Sequence, residues 1–132
     1  TDGRTYPWGE AEQSCDLANF KIGAVCVGDT TEVGSYPTGI SPYGALDMVG
    51  NVSEWVADWY AEDYYENSPF VNPSGPVSGT FRVARGSDWS SGTNSSTVVN
   101  QVAYRDYADP SLTDTWDDYR FGFRCAMPVE NP

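Results

Sequence analysis

Two carboxylates, Asp47 and Glu54, bracket Gly50 and Asn51 in the stretch 44–55, GALDMVGNVSEW. Trp55, Trp59 and Tyr60 follow at once. Hard divalent cations such as calcium take several oxygen ligands from carboxylates, amides and backbone carbonyls. An irregular loop carrying Asp47 and Glu54, with the carbonyls between them turned inward, supplies that kind of donor set. Gly50 allows backbone angles that a carbonyl cage demands and that a residue with a Cβ resists. The spacing is not that of an EF-hand. The plain alternative is a turn leading into a strand, with Asp47 capping and Glu54 solvated.

Other chemistries are narrowed by what the chain lacks. It has no histidine, which removes Ser-His-Asp and Cys-His nucleophile systems, His-rich zinc sites and the two-His-one-carboxylate iron site within these residues. Ser90, Ser91, Ser95 and Ser96 then have no conventional base and are expected to be hydrogen-bonding loop residues. A net charge of −12 argues against nucleic acid, which is bound by clustered Lys and Arg, and against an anionic membrane surface. No apolar run approaches the roughly 20 residues needed to span a bilayer. Cys15 and Cys26 enclose ten residues and are expected to form a disulfide, which implies an exported, extracellular or cell-surface setting. Cys125 is left over, either buried as a small hydrophobe or deprived of a partner in an absent segment.

The chain of 132 residues is expected to make one domain, 1–132, with a single core. Its 5 Trp, 9 Tyr and 5 Phe supply buried area, while 13 Gly and 9 Pro imply many turns. Pro7 and Gly9 make 1–14 an irregular lead-in. Val52, Trp55, Val56 and Trp59 fit helical spacing, although 55–60 also suits a strand. The acidic, aromatic stretch 58–66 is expected to be exposed, and Pro69, Pro73 and Pro76 make 67–79 a loop. Phe81 and Val83 alternate with Arg82, so 80–85 reads as a strand. After a polar loop at 86–96, residues 97–105 are β-prone or mixed, 106–119 an acidic loop and 120–126 a final strand.

Three blocks together, DMVGNVSEW at 47–55, RVARG at 82–86 and RFGFRCA at 120–126, resemble the formylglycine-generating enzyme, or sulfatase-modifying factor, family. Their order and spacing match over nearly the whole chain. The opening TDGRTYPWG at 1–9 resembles a mid-domain segment, so the resemblance implies the C-terminal portion of such a domain. A missing N-terminal half or another subunit is then the expected partner. The implied fold is α+β, irregular and loop-rich, related to the C-type lectin fold. The implied calcium ligands are the side chains of Asp47 and Glu54 and the carbonyls of Gly50 and Val52. A second, weaker site is implied at Asn19 and Phe20 with Asp29 contributing, unless a cystine replaces that metal as the local staple.

In the family, two cysteines after the Arg-Gly block bind copper and oxidise a substrate cysteine. The equivalent positions here are Ser91 and Ser96. A hydroxyl does not replace a soft thiolate toward Cu(I), so no catalytic residue is expected. The groove of the family would be lined by Asp88, Trp89, Ser91, Tyr104, Arg105, Tyr107 and Trp116, aromatic faces beside polar groups that suit a carbohydrate or an extended peptide. Lectin-type sugar triplets are absent. The leading expectation is a non-catalytic, calcium-stabilised binding or assembly module. The alternatives are the substrate-binding half of an oxidoreductase and a structural subunit of an extracellular assembly or filament.

Overall fold

The computed structural model describes residues 3–92, 98–111 and 121–126. Lys21–Ile22 and Ala24–Val25 pair antiparallel as β1 and β2, a hairpin too short to be stable alone. The disulfide Cys15–Cys26, with Cα atoms 5.5 Å apart, ties the hairpin to the turn before it. That pairing agrees with the expectation from spacing. Cys125 is an exposed free thiol and not a buried hydrophobe.

Ser53–Trp59 forms β3, so the helical spacing of Val52, Trp55, Val56 and Trp59 loses to strand pairing. Tyr64–Asn67 makes one short helical turn, α1. β4, Arg82–Arg85, runs antiparallel to β3 with Trp55 opposite Ala84 and Glu54 opposite Arg85, and the register shifts before Trp59 meets Arg82. β5, Asp106–Ala108, adds antiparallel to β4, and β6, Phe121–Gly122, lies parallel to β3. The order across this mixed sheet is β5-β4-β3-β6. Trp55 sits opposite a small alanine and stacks on Phe121, ring centroids 4.3 Å apart. Cross-strand aromatic contacts of this kind stabilise a sheet by roughly 0.2–1 kcal/mol each.

Two expectations shift. The β-prone segment 97–105 contains a 3-10 turn at Val98–Asn100, and the strand lies instead at Asp106–Ala108, inside the stretch expected to be an acidic loop. The reason is where the backbone groups go. The Arg85 guanidinium takes the carbonyls of Val102 and Tyr104, and the Val102 N–H donates to Thr5, so the free edge of β4 pairs with Tyr107. The final strand is shorter than 120–126, because beyond Gly122 the chain is held by Arg124 and not by a ladder.

The core is small. Ala18, Phe20 and Val49 form the buried cluster, with Trp8 packed against it. Val83, Ala84 and Ala108 are buried within the sheet. Fully burying a side chain such as Phe20 stabilises by about 1.5–3 kcal/mol, so loop hydrogen bonds must carry much of the remaining specification. Among the described residues no helix is long and apolar enough to cross a membrane. The architecture is α+β, irregular and loop-rich.

Candidate functional site

The loop leading into β3 is knotted from inside by Asn51. This side chain is buried, and its backbone holds φ +64°, a conformation asparagine tolerates better than most residues. Asn51 N–H donates to the Asn19 carbonyl at 2.8 Å, and its own carbonyl accepts Trp89 N–H at 3.1 Å. Its side-chain oxygen accepts Thr31 N–H at 2.8 Å while its amide donates to the Thr31 carbonyl at 3.2 Å. One residue therefore joins three segments distant in sequence. Beside it, Gly50 N–H donates to Gly86 O at 2.6 Å.

Asp47, Gly50, Val52 and Glu54 all line one cleft of about 470 Å³, together with Val33, Phe123 and Arg124. Asp47 sits at φ +52°, and its Oδ2 accepts Gly34 N–H at 2.7 Å. Glu54 is gripped by Arg124, whose Nε donates to Oε2 at 2.6 Å while an η-nitrogen donates to Oε1. The same guanidinium donates to the carbonyls of Leu46 and Asp47, each at 3.0 Å. Hydrogen bonding to Glu54 raises Arg124 above the ordinary guanidinium value, against the opposing effect of burial. Among the described residues no three His, Cys, Asp or Glu side chains cluster as metal ligands. The implied donor set does not need such a cluster, since half of it is backbone carbonyl.

Around the implied second site, Asn19 and Phe20 are fully buried. Asn19 Nδ2 donates to the Asp29 carbonyl at 2.7 Å, which brings these two residues together. Phe20 O accepts Cys26 N–H at 3.0 Å, and the Asp29 carboxylate accepts Thr30 N–H at 2.7 Å. Asn19 Oδ1 is buried with no hydrogen-bond partner. A buried unpaired oxygen costs about 1–3 kcal/mol unless something else binds it.

Asp88 is buried and spends its carboxylate on its own turn. Oδ1 accepts Ser90 N–H at 2.6 Å, Ser90 Oγ at 2.7 Å and Ser91 N–H at 2.9 Å. Oδ2 accepts the Ser91 hydroxyl at 2.7 Å. The Ser91 hydroxyl, expected from the resemblance to stand where the family has its first cysteine, is thus a hydrogen-bond donor to a carboxylate, in a turn that Trp89 N–H links to Asn51. Ser96 and Trp116 lie outside the described residues.

Tyr104 and Arg105 belong to a different surface. The Arg105 guanidinium lies 4.1 Å from the Tyr65 ring centroid and 5.2 Å from that of Tyr60, and donates to the carbonyls of Ala61 and Glu62. Tyr60 stacks on Tyr107 at 4.2 Å, with Phe81 5.2 Å from the same ring. Arg85 donates to the Tyr65 hydroxyl at 3.0 Å. Desolvation, then the Asp106 charge, raises the Tyr104 hydroxyl above its ordinary value, so it stays protonated at neutral pH. Tyr65, Phe81 and Tyr107 remain exposed. Two arginines thereby hold an aromatic platform in place.

Sequence reasoning named Asn51 only as part of the stretch 44–55, without its knotting role, and gave no role to Arg124, Arg85 or Tyr65. A Gly-Asn pair signals only a turn, and an arginine near the end of a chain has no periodicity that names its partner. The resemblance block at 120–126 did contain Arg124 and could have directed attention to it.

Comparison with known proteins agrees with this architecture. The sulfatase-modifying factor enzyme 1-like domain family matches residues 1–129. A serine/threonine-protein kinase Pkn1 of Chlamydia caviae is 40% identical over 127 residues, covering 95% of this chain and 18% of the kinase. A formylglycine-generating enzyme of Streptomyces coelicolor is 33% identical over 139 residues, covering 97% of this chain and 42% of that enzyme. The solved structure of Treponema denticola variable protein 1 superposes with a TM-score of 0.68 at 27% identity, over 92% of this chain and 40% of that one. The chain thus spans less than half the length of these relatives. With the expected lectin-related, loop-rich fold in place, the chain belongs to the sulfatase-modifying factor family.

Proposed function

We propose that this chain is a non-catalytic binding module of the family, with loops ordered by calcium and a ligand taken on the aromatic platform. The observation that carries the reading is the Ser91 hydroxyl, 2.7 Å from Asp88 Oδ2. Where the family places a copper-binding thiol, this chain has a hard oxygen engaged by a buried carboxylate, and Cu(I) prefers soft sulfur. Thiol oxidation has no sulfur donor at that position.

The donor chemistry fits calcium. Asp47, Gly50, Val52 and Glu54 line one cleft; two carboxylates and two backbone carbonyls would be the donors, and waters would complete the six to eight oxygens calcium takes. Asn19 Oδ1, buried and unpaired, is a second oxygen suited to such an ion. Bound calcium would supply order to loops that have few ladder hydrogen bonds. The disulfide supports an exported, extracellular or cell-surface setting.

The platform of Tyr60, Tyr65, Phe81 and Tyr107 offers rigid rings, and rigid aromatic anchors dominate binding energy. Glu62, Asp63, Glu66, Asp106 and Asp109 lie close in sequence to its residues, on a chain of net charge −12. That field favours a cationic partner, so an extended basic peptide suits the surface better than a neutral sugar. Binding of Lys- and Arg-containing peptides, followed by fluorescence anisotropy at two salt concentrations, tests this. Tyr65→Ala and Tyr107→Ala should each weaken binding about tenfold, since hot-spot truncations cost upwards of about 1 kcal/mol. Binding as tight as wild type in both variants sinks the platform. Conversion of a cysteine peptide to an aldehyde in the presence of copper, read by mass spectrometry, would sink the non-catalytic reading.

A further inference from the structure

The oxygens around Glu54 already hold a cation. The Arg124 guanidinium donates to Glu54 Oε1 and Oε2 and to the carbonyls of Leu46 and Asp47, so four oxygens surround one positive charge. Glu54 and Asp47 are both expected calcium ligands, and both line the cleft with Arg124. The Arg124 side chain is 40% exposed while that of Glu54 is 20% exposed, so the carboxylate belongs to the loop and the guanidinium reaches it from the solvent side. That path leaves the guanidinium free to swing outward.

We propose that Arg124 is the resident cation of this loop, and that calcium must displace it from Glu54 in order to bind. The inference rests on the calcium reading above. Charge balance favours exchange over coexistence. Asp47 and Glu54 carry two negative charges, of which the guanidinium neutralises one. A dication added beside it leaves excess positive charge, whereas a dication in its place leaves the loop neutral. Like charges about 4–6 Å apart in a partly buried setting oppose each other. Bidentate pairing also occupies the carboxylate face that a bidentate metal ligand uses. Before calcium binds, Arg124 keeps residues 123–126 against the loop. After exchange that segment is released together with Phe123, which is 79% exposed, and the exposed Cys125 thiol. Calcium would thus control the mobility of the chain beyond β6.

The test uses the full chain stripped of metal. Calcium chloride is titrated by calorimetry into wild type, Arg124→Gln and Arg124→Lys. The proposal predicts that Arg124→Gln binds about tenfold tighter than wild type, equivalent to 1.4 kcal/mol, with Arg124→Lys between them. In wild type followed by NMR, the Arg124 Nε–H resonance should leave its hydrogen-bonded position as calcium is added. This second measurement needs no variant to fold. Equal or weaker calcium binding by Arg124→Gln overturns the exchange and makes Arg124 a group that positions Glu54, leaving the calcium reading intact. An Nε–H resonance unmoved at saturating calcium also overturns it. Absence of calcium binding in all three proteins ends both readings.

Discussion

Gly50→Ala measures how much the loop knot depends on close backbone approach. Gly50 has φ +77°, and a Cβ built on it would lie 2.2 Å from the Asn19 carbonyl oxygen and 2.8 Å from its carbon. These are backbone atoms, so no side chain can turn aside to admit the methyl group. The left-handed conformation alone costs an alanine roughly 1–2 kcal/mol. Moving Asn19 away adds the loss of the Asn51 N–H to Asn19 O hydrogen bond, about 1 kcal/mol. It also disturbs the neighbouring Phe20, which is 0% exposed, and partial loss of such packing costs about 1–2 kcal/mol more. The sum is about 3–5 kcal/mol. Gly44 supplies the control, because it has φ +81° and nothing within 4 Å of where a methyl group would stand. Gly44→Ala should therefore cost only the conformational part, about 1–2 kcal/mol. Urea unfolding followed by tryptophan fluorescence gives both numbers from midpoints at a common slope. If the two alanines cost the same, the close approach is relaxed at little expense and the knot is not what orders this loop.

Asn51→Ala should destabilise by about 2–4 kcal/mol, since it removes the hydrogen bonds of the Asn51 side chain to the Thr31 backbone and hydroxyl, leaves those backbone groups unpaired and keeps a strained φ; the same urea assay checks it. Glu10 and Asp109 offer a pH test. The Thr5 side chain and then its backbone lower Glu10, and the Ser111 backbone and then its hydroxyl lower Asp109. Depressed folded values mean that the stabilisation is present above the unfolded carboxylate range and is lost as pH falls through the folded values. NMR titration of the two carboxyls should find both below ordinary values, and ordinary values would refute the Thr5 and Ser111 contacts.

The legible parts of this structure are those specified by short-range chemistry. Cys15 and Cys26 lie close enough in the chain to pair, and Phe81 to Arg85 alternate in the manner of a half-buried strand. Residues 52–59 carried two periodicities at once, and the pairing of β3 on both sides, which no local pattern displays, decided for the strand. The strand at Asp106–Ala108 was hidden because its sequence is polar. Its place is set by distant segments, where Thr5 near the start of the chain and Arg85 on β4 take the preceding backbone groups. The convergence of Asp47, Gly50, Val52 and Glu54 on one cleft was visible through family blocks. Arg124 in that cleft was not, since the ion pair spans 70 positions. The split of the expected groove had the same cause. Whether Asp88 faces a ligand or caps its own turn depends on two serines whose hydroxyls have equal claim to solvent in the sequence.

Calcium-dependent stability tests the central claim most directly. Thermal unfolding of the metal-stripped chain is recorded in excess chelator and in calcium at increasing concentration. A ligand that binds only the folded state adds about 2.7 kcal/mol at a hundred times its dissociation constant, and for a chain of this size each kcal/mol raises the midpoint by several degrees. The account predicts a midpoint that climbs steadily with calcium, and a smaller climb when Asp47 is changed to Ala. Identical melting in chelator and in saturating calcium would contradict it.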